Sequence, residues 1–157
     1  MGNILFINAS EYDNGNTSRL GHEILNGIDY DQLNLVDYKI FQLGQHFDDD
    51  QFEEVINKMK TADTWVICTP VYWHNMSGHL KTWFDRMSEY PHSMWYGKKL
   101  ALGVQGMEPS DTIEPMKRLM KRFCYLNQMD FLGEATTNRE IKELNHRLKS
   151  LIEYRRS

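Results

Sequence analysis

Two cysteines in 157 residues are too few for a disulfide framework and show no metal-binding spacing. Cys68 lies in an apolar run and Cys124 in a stretch of helical period, so both read as buried free thiols in a reducing compartment. No apolar run approaches the roughly 20 residues needed to span a bilayer. The opening Met-Gly-Asn-Ile-Leu-Phe-Ile-Asn lacks the charged start and long apolar stretch of a secretion signal. The expectation is a cytoplasmic protein. An excess of positive charge is missing too: 18 Lys and Arg stand against 22 Asp and Glu, a net charge of −4, which argues against a nucleic-acid surface. Arg147, Lys149, Arg155 and Arg156 are interrupted by Glu153 and read as a solvated helix face. His22, His46, His92 and His146 are scattered and form no ligand cluster, and His79 reads as a surface or packing residue. There is no repeat and no low-complexity segment.

What is present is ordinary globular material, 41% apolar and 25% charged, in a length that suits one domain over residues 1–157. Such a chain can bury a core without staples. Runs of strand length alternate with stretches of helical period, the signature of an α/β fold with a parallel sheet covered on both faces. The strands are expected at 3–8, 32–36, 64–69, 99–104 and 130–134. The helices are expected at 17–27, 50–61, 77–88, 111–128 and 138–154. Residues 38–50 read as a loop. With right-handed crossovers, five such units give an open, doubly wound three-layer fold with strand order 2-1-3-4-5. Ligands of such sheets bind beyond the carboxyl ends of the strands, at the switch point between strands one and three.

The loop after strand one runs from Asn8 to Leu20. Ser10, Asn16, Thr17 and Ser18 crowd the start of a helix, where unpaired N–H groups and the positive end of the helix dipole gather. Those groups can seat a phosphate without a lysine. The same residues are also what any turn and helix cap uses. The loop is neither a Walker loop nor a dinucleotide fingerprint. After strand three comes Thr69-Pro70-Val71-Tyr72-Trp73-His74-Asn75-Met76-Ser77-Gly78, read as a loop running into a helix. Tyr72 and Trp73 suit a flat ring, or else a core or a subunit contact. His74 is a weak candidate for a proton relay. The segment 90–96, with Met94, Trp95 and Tyr96, reads equally as a lid, a subunit contact or a locally packed loop.

Together these stretches resemble the NADPH-dependent FMN reductase family of flavodoxin-like proteins. The match is carried by Ile4-Leu5-Phe6-Ile7-Asn8-Ala9-Ser10 with Gly15-Asn16-Thr17-Ser18-Arg19-Leu20. It continues through Thr69-Pro70-Val71-Tyr72, Ser77-Gly78-His79-Leu80-Lys81 and Phe84-Asp85-Arg86, and more loosely through Gly97-Lys98-Lys99 and Val104-Gln105-Gly106. The resemblance implies FMN as cofactor and NAD(P)H as co-substrate. It implies Ser10, Asn16, Thr17 and Ser18 around the phosphate, Pro70, Val71, Tyr72, Trp73 and His74 along the ring, and Gln105 and Gly106 on its far side. It also implies a homodimer. Glu11 departs from the family pattern, which has proline and a basic residue there. Residues 38–50 hold no cysteine, so no iron–sulfur cluster is expected.

On this reading the protein passes two electrons by hydride transfer from NAD(P)H to a small acceptor, a quinone, a flavin or similar, and the chemistry is centred on the flavin. A non-enzymatic electron carrier of the same fold and a flavin-free binding or regulatory domain are the alternatives. A signalling receiver domain is disfavoured, because Asn8-Ala9-Ser10 and Thr69-Pro70-Val71 stand where its acidic residues belong.

Overall fold

The computed structural model of the protein describes residues 3–154; Arg155 and Arg156 of the basic helix face lie outside them. The elements follow in the order β1 (Ile4–Asn8), α1 (Asn16–Ile24), β2 (Asp31–Asn34), α2 (Phe52–Thr61), β3 (Thr64–Tyr72), β4 (Asn75–Met76), α3 (Gly78–Met87), β5 (Lys99–Gln105), α4 (Ser110–Leu126), β6 (Asp130–Ala135) and α5 (Asn138–Tyr154). Short 3-10 turns cover Leu35–Asp37 and His92–Trp95. The main sheet has the order β2-β1-β3-β5-β6, all parallel, with β4 folded back on β3. The expected order of five parallel strands is therefore present, with a sixth, two-residue strand the sequence reading did not contain.

Strand parity explains the two layers. Ile7 lies beside Ile67, and Ile67 beside Leu102. These odd- and even-numbered neighbours share a face because side chains alternate along each strand. Leu5, Ile7, Trp65, Ile67, Leu100 and Leu102 pack against α2, α3 and α4. Ile4, Phe6, Val66, Cys68 and Ala101 pack against α1 and α5. Every residue of β1 is buried, as a strand covered on both faces requires.

Helix α1 approaches the sheet closely through Gly21. A Cβ added there would lie 2.2 Å from Cζ of Phe6, so only hydrogen fits between helix and strand. This close seat brings the amino end of α1 over the carboxyl end of β1.

The other layer is pinned by indoles. Trp65 meets Trp95 edge to face at 5.1 Å and Trp83 at 6.2 Å, arrangements that suit the ring quadrupoles. The Trp65 indole N–H donates to the Met59 carbonyl at 3.2 Å. Trp95 is 1% exposed. The segment 90–96 is thus a locally packed connection before the amino end of β5, and not a lid.

Residues 38–50 contain no helix or strand, as expected, and α2 starts two residues later than expected. They are held by Arg86 of α3. Its Nη1 donates to the Phe41 carbonyl at 2.9 Å and to Asp50 at 2.6 Å, and its Nε donates to Glu89 at 2.6 Å. The guanidinium lies 4.5 Å from the centre of the Phe52 ring.

Candidate functional site

The first loop is shaped by Asn8, a polar side chain with no exposure at the end of an apolar strand. Its amide oxygen accepts the Ser10 N–H at 3.1 Å and its amide nitrogen donates to the Tyr12 carbonyl at 3.0 Å. Ser10 Oγ accepts the Tyr12 N–H at 3.1 Å. These side-chain turns engage the N–H groups of Ser10 and Tyr12. The Ser10 hydroxyl in turn reaches the Tyr72 phenol oxygen as a donor.

Further donors wait at the start of α1. The first intrahelical bond there is from the Arg19 N–H to the Gly15 carbonyl, at 3.0 Å. The N–H groups of Asn16, Thr17 and Ser18 therefore have no partner within the helix. The capping position is Gly15, which offers no side chain, and the first turn holds no acid. By contrast α2, α4 and α5 each carry an acid in the first turn, and α3 is capped by Ser77 Oγ, which accepts the Leu80 N–H. Among the described α-helices α1 alone has neither device. An uncapped positive helix end beside the buried hydroxyl residues Thr17 and Ser18 suits a small dianion.

The third loop differs from the sequence expectation. β3 does not stop at Thr69 but continues through Pro70, Val71 and Tyr72. It then turns over Trp73 and His74 and returns as β4, with Tyr72 opposite Asn75 and Val71 opposite Met76. The predicted loop is a hairpin. Its two tip residues have φ of 50° and 57°, the left-handed pair that two-residue hairpins use to match strand twist. Trp73 is 98% exposed.

Ser77, expected only as the start of the third helix and as part of the family resemblance, ties the loops together. Its Oγ donates to the Ala9 carbonyl at 2.6 Å, and its N–H donates to Thr69 Oγ1 at 3.1 Å. A serine directly before a helical stretch is a cap signal that could have revealed it.

The fifth strand completes the site. Gln105 lies opposite Pro70 in the sheet. A Cβ on Gly106 would lie 3.1 Å from Val71 Cβ, so the two backbones approach where a side chain would crowd. The carboxyl ends of β1, β3 and β5 thus bring Ser10, Asn16, Thr17, Ser18, Pro70, Val71, Tyr72, Trp73, His74, Gln105 and Gly106 to one edge of the sheet.

Two contacts at this edge were not anticipated. Tyr72 Oη donates to Glu11 Oε1 at 3.1 Å. Burial, and then the Glu11 carboxylate, push the Tyr72 phenol up, so it stays a donor at neutral pH. His74 Nδ1 lies 2.6 Å from Asp111 Oδ2, with both groups exposed. Bonds from Thr112 and then from His74 hold the Asp111 carboxyl below its ordinary range. A cleft of about 340 Å³ lies behind Tyr72, lined by Glu11, Ile40, His79 and Thr82 among others. A larger one, about 640 Å³, is at the opposite, amino end of the strands, between Tyr30 and Leu151; it holds none of these residues.

The family model for NADPH-dependent FMN reductase matches residues 3–140. The chain belongs to the NADPH-dependent FMN reductase family. The Bacillus subtilis (strain 168) protein YwqN, named an NAD(P)H-dependent FMN-containing oxidoreductase, is 30% identical over 147 residues, covering 83% of this chain and 81% of that one. The fold recurs in solved structures. One is the Trp repressor binding protein of Bacillus subtilis, with TM-score 0.69, 20% identity, and 85% and 82% of the two chains covered. Another is an FMN-dependent NADH-azoreductase from Bacillus anthracis str. Ames Ancestor, with TM-score 0.64, 17% identity, and 96% and 99% covered.

As an FMN reductase family member, the chain is an NAD(P)H-dependent oxidoreductase with FMN as cofactor. The uncapped helix end and the hydroxyls beside it form a donor set that fits the FMN phosphate. The cysteines of this reductase are poor redox thiols: burial pushes Cys68 well above the ordinary thiol range and Cys124 up to about 12, so neither is a thiolate at neutral pH. Among the described residues no group of three His, Cys, Asp or Glu could hold a metal ion, and no helix is long and apolar enough to cross a membrane.

Proposed function

We propose that the protein is a cytoplasmic quinone reductase, acting as one domain over residues 1–157, that transfers two electrons from NAD(P)H to a small quinone. In this reading Ser10, Asn16, Thr17 and Ser18 hold the FMN phosphate. Pro70, Val71, Tyr72, Trp73 and His74 line the ring, and Gln105 and Gly106 close its far side. Bound FMN supplies the redox chemistry, hydride exchange at its ring. The polypeptide supplies position and protons.

The acceptor class rests on the His74–Asp111 pair. A quinone that gains a hydride needs one further proton to become the quinol. With Nδ1 engaged by Asp111, His74 presents Nε2 at the rim of the site, where it can hold and deliver that proton. His74→Gln is expected to slow turnover with a benzoquinone roughly tenfold and to leave turnover with ferricyanide, which takes electrons without a proton, unchanged. Steady-state assays with both acceptors test this. Equal losses with the two acceptors, or none with either, exclude the proton role.

Glu11 sets the charge of the same site. Its carboxylate follows Ser10 and opposes a phosphate dianion. Glu11→Gln is expected to tighten FMN binding about threefold through lost repulsion and to leave riboflavin binding unchanged, as read by flavin fluorescence titration.

A homodimer is part of this proposal. Tyr12, Tyr72, Trp73 and Met107, all exposed, lie at or just beyond the carboxyl ends of β1, β3 and β5. Apolar side chains gathered at one end of a molecule favour a protein contact. Sedimentation velocity of the loaded protein is expected to show two chains.

A further inference from the structure

Beyond the residues proposed to touch the phosphate lies an oriented chain of side-chain amides. It begins at Asp37, the last residue of the 3-10 turn that follows β2. The Asp37 carboxylate only accepts hydrogen bonds, so the Asn34 amide nitrogen must face it, and it does, at 3.1 Å. The Asn34 oxygen is then turned toward β1. It accepts from the Asn8 amide nitrogen at 3.2 Å and from the Gln32 amide nitrogen at 2.8 Å. The Gln32 oxygen in turn faces His22 Nε2 at 3.1 Å. His22 Nε2 also lies 3.5 Å from Ser18 Oγ, a long contact.

One acceptor-only group at the surface therefore dictates the direction of every amide behind it. The consequence falls on Asn8. Its nitrogen is drawn toward Asn34 and the Tyr12 carbonyl, so its oxygen must face the Ser10 N–H. A reversed Asn8 amide would set its NH₂ against the Ser10 N–H and its oxygen against the Tyr12 carbonyl, and both bonds of Asn8 to the first loop would be lost.

We propose that Asn34, oriented by Asp37, is a positioning residue for the phosphate loop: it fixes the Asn8 amide, and through it the shape in which Ser10 meets the ligand. This rests on the proposed phosphate seat. Asn34 and Asp37 are not themselves placed in contact with the flavin. Such supporting shells commonly carry tenfold effects on the groups they orient.

The test uses FMN and riboflavin, which differ only by the phosphate, with affinities measured by fluorescence titration of the full chain. Wild type is expected to prefer FMN. Asn34→Leu is expected to weaken FMN binding about tenfold and to leave riboflavin binding within about twofold. The double exchange Asn34→Asp with Asp37→Asn keeps an acceptor facing Asn8 and keeps the bond between positions 34 and 37, with its direction reversed. It is expected to restore the FMN preference, which a merely structural role for Asn34 would not produce. If wild type prefers FMN and Asn34→Leu keeps that preference, or if both flavins weaken equally, the positioning role is wrong and the phosphate seat stands. If wild type binds the two flavins alike, the seat itself is misplaced and the inference falls with it.

Discussion

Asn16→Asp should raise the stability of the apoprotein slightly while lowering its affinity for FMN about a hundredfold. The two effects have opposite signs because they read the same field. Asn16 is the first residue of α1, and the substitution changes an amide to a carboxylate of equal size. A negative charge in the first turn of a helix is favourable by a few tenths of a kcal/mol at an exposed site, and α1 has no such charge and no side-chain cap of its own. A phosphate dianion proposed for the same helix end would meet the new carboxylate at close range. Thermal melting without flavin, beside FMN titration, reads both signs. A variant that is more stable and binds FMN as well as wild type would show that the dianion sits elsewhere. The neighbouring Ser18 is 1% exposed and is less suited to this test, since a buried charge would confuse stability with binding.

Arg86→Met should cost about 3 kcal/mol of folding stability, in the range for removing one partner of a largely buried ion pair. Methionine keeps much of the side-chain volume, so lost packing contributes little. The main loss is electrostatic. Asp50 and Glu89, with side chains 17% and 34% exposed, would each lose a charged partner at 2.6 Å, and the Phe41 carbonyl would lose its donor. Chemical denaturation gives the stability change. Protease digestion should then cut first within residues 38–51, because Arg86 is the tie that holds this segment to α3. A loss below about 1 kcal/mol, the range of surface pairs, would mean that water replaces the guanidinium at little cost. Arg86→Lys should recover only part of the loss, because an ammonium lacks the fork that serves Phe41, Asp50 and Glu89 together.

The fold was legible where burial is two-sided. Ile4 to Ile7 and Trp65 to Cys68 are apolar without a break, and only a central parallel strand asks for that. The order of the sheet followed from the strict alternation of strand and helix. The hairpin at the end of β3 was not legible, because two-residue turns of this kind announce themselves through Asn-Gly or similar pairs. Here the turn residues are Trp73 and His74, whose side chains oppose a left-handed backbone. The segment 90–96 stayed ambiguous for another reason. Aromatic content serves a lid and a core equally well, and only the packing of Trp95 on Trp65 separates them.

The candidate site divides along the same line. Ser10, Asn16, Thr17 and Ser18 were visible because they are close in sequence and stand at a predicted strand-to-helix junction. Asn34 and Asp111 were not. Asn34 reaches Asn8 across 26 residues of chain and Asp111 reaches His74 across 37. Such partnerships are made by strand order and loop direction, and neither residue carries a local mark of them. Ser77 lies between these cases: its cap on α3 is local, but its bond to Ala9 spans 68 residues.

The hairpin tip has a mechanical consequence. β3 is the central strand, bonded on both sides by β1 and β5, and the tip is its direct extension, with no flexible joint between. The indole of Trp73 is therefore carried into solvent just beyond the last sheet pairing of the central strand, Pro70 with Gln105. A planar partner arriving there meets a backbone already held by the hairpin, so docking has only the side-chain torsions of Trp73 to order on this side.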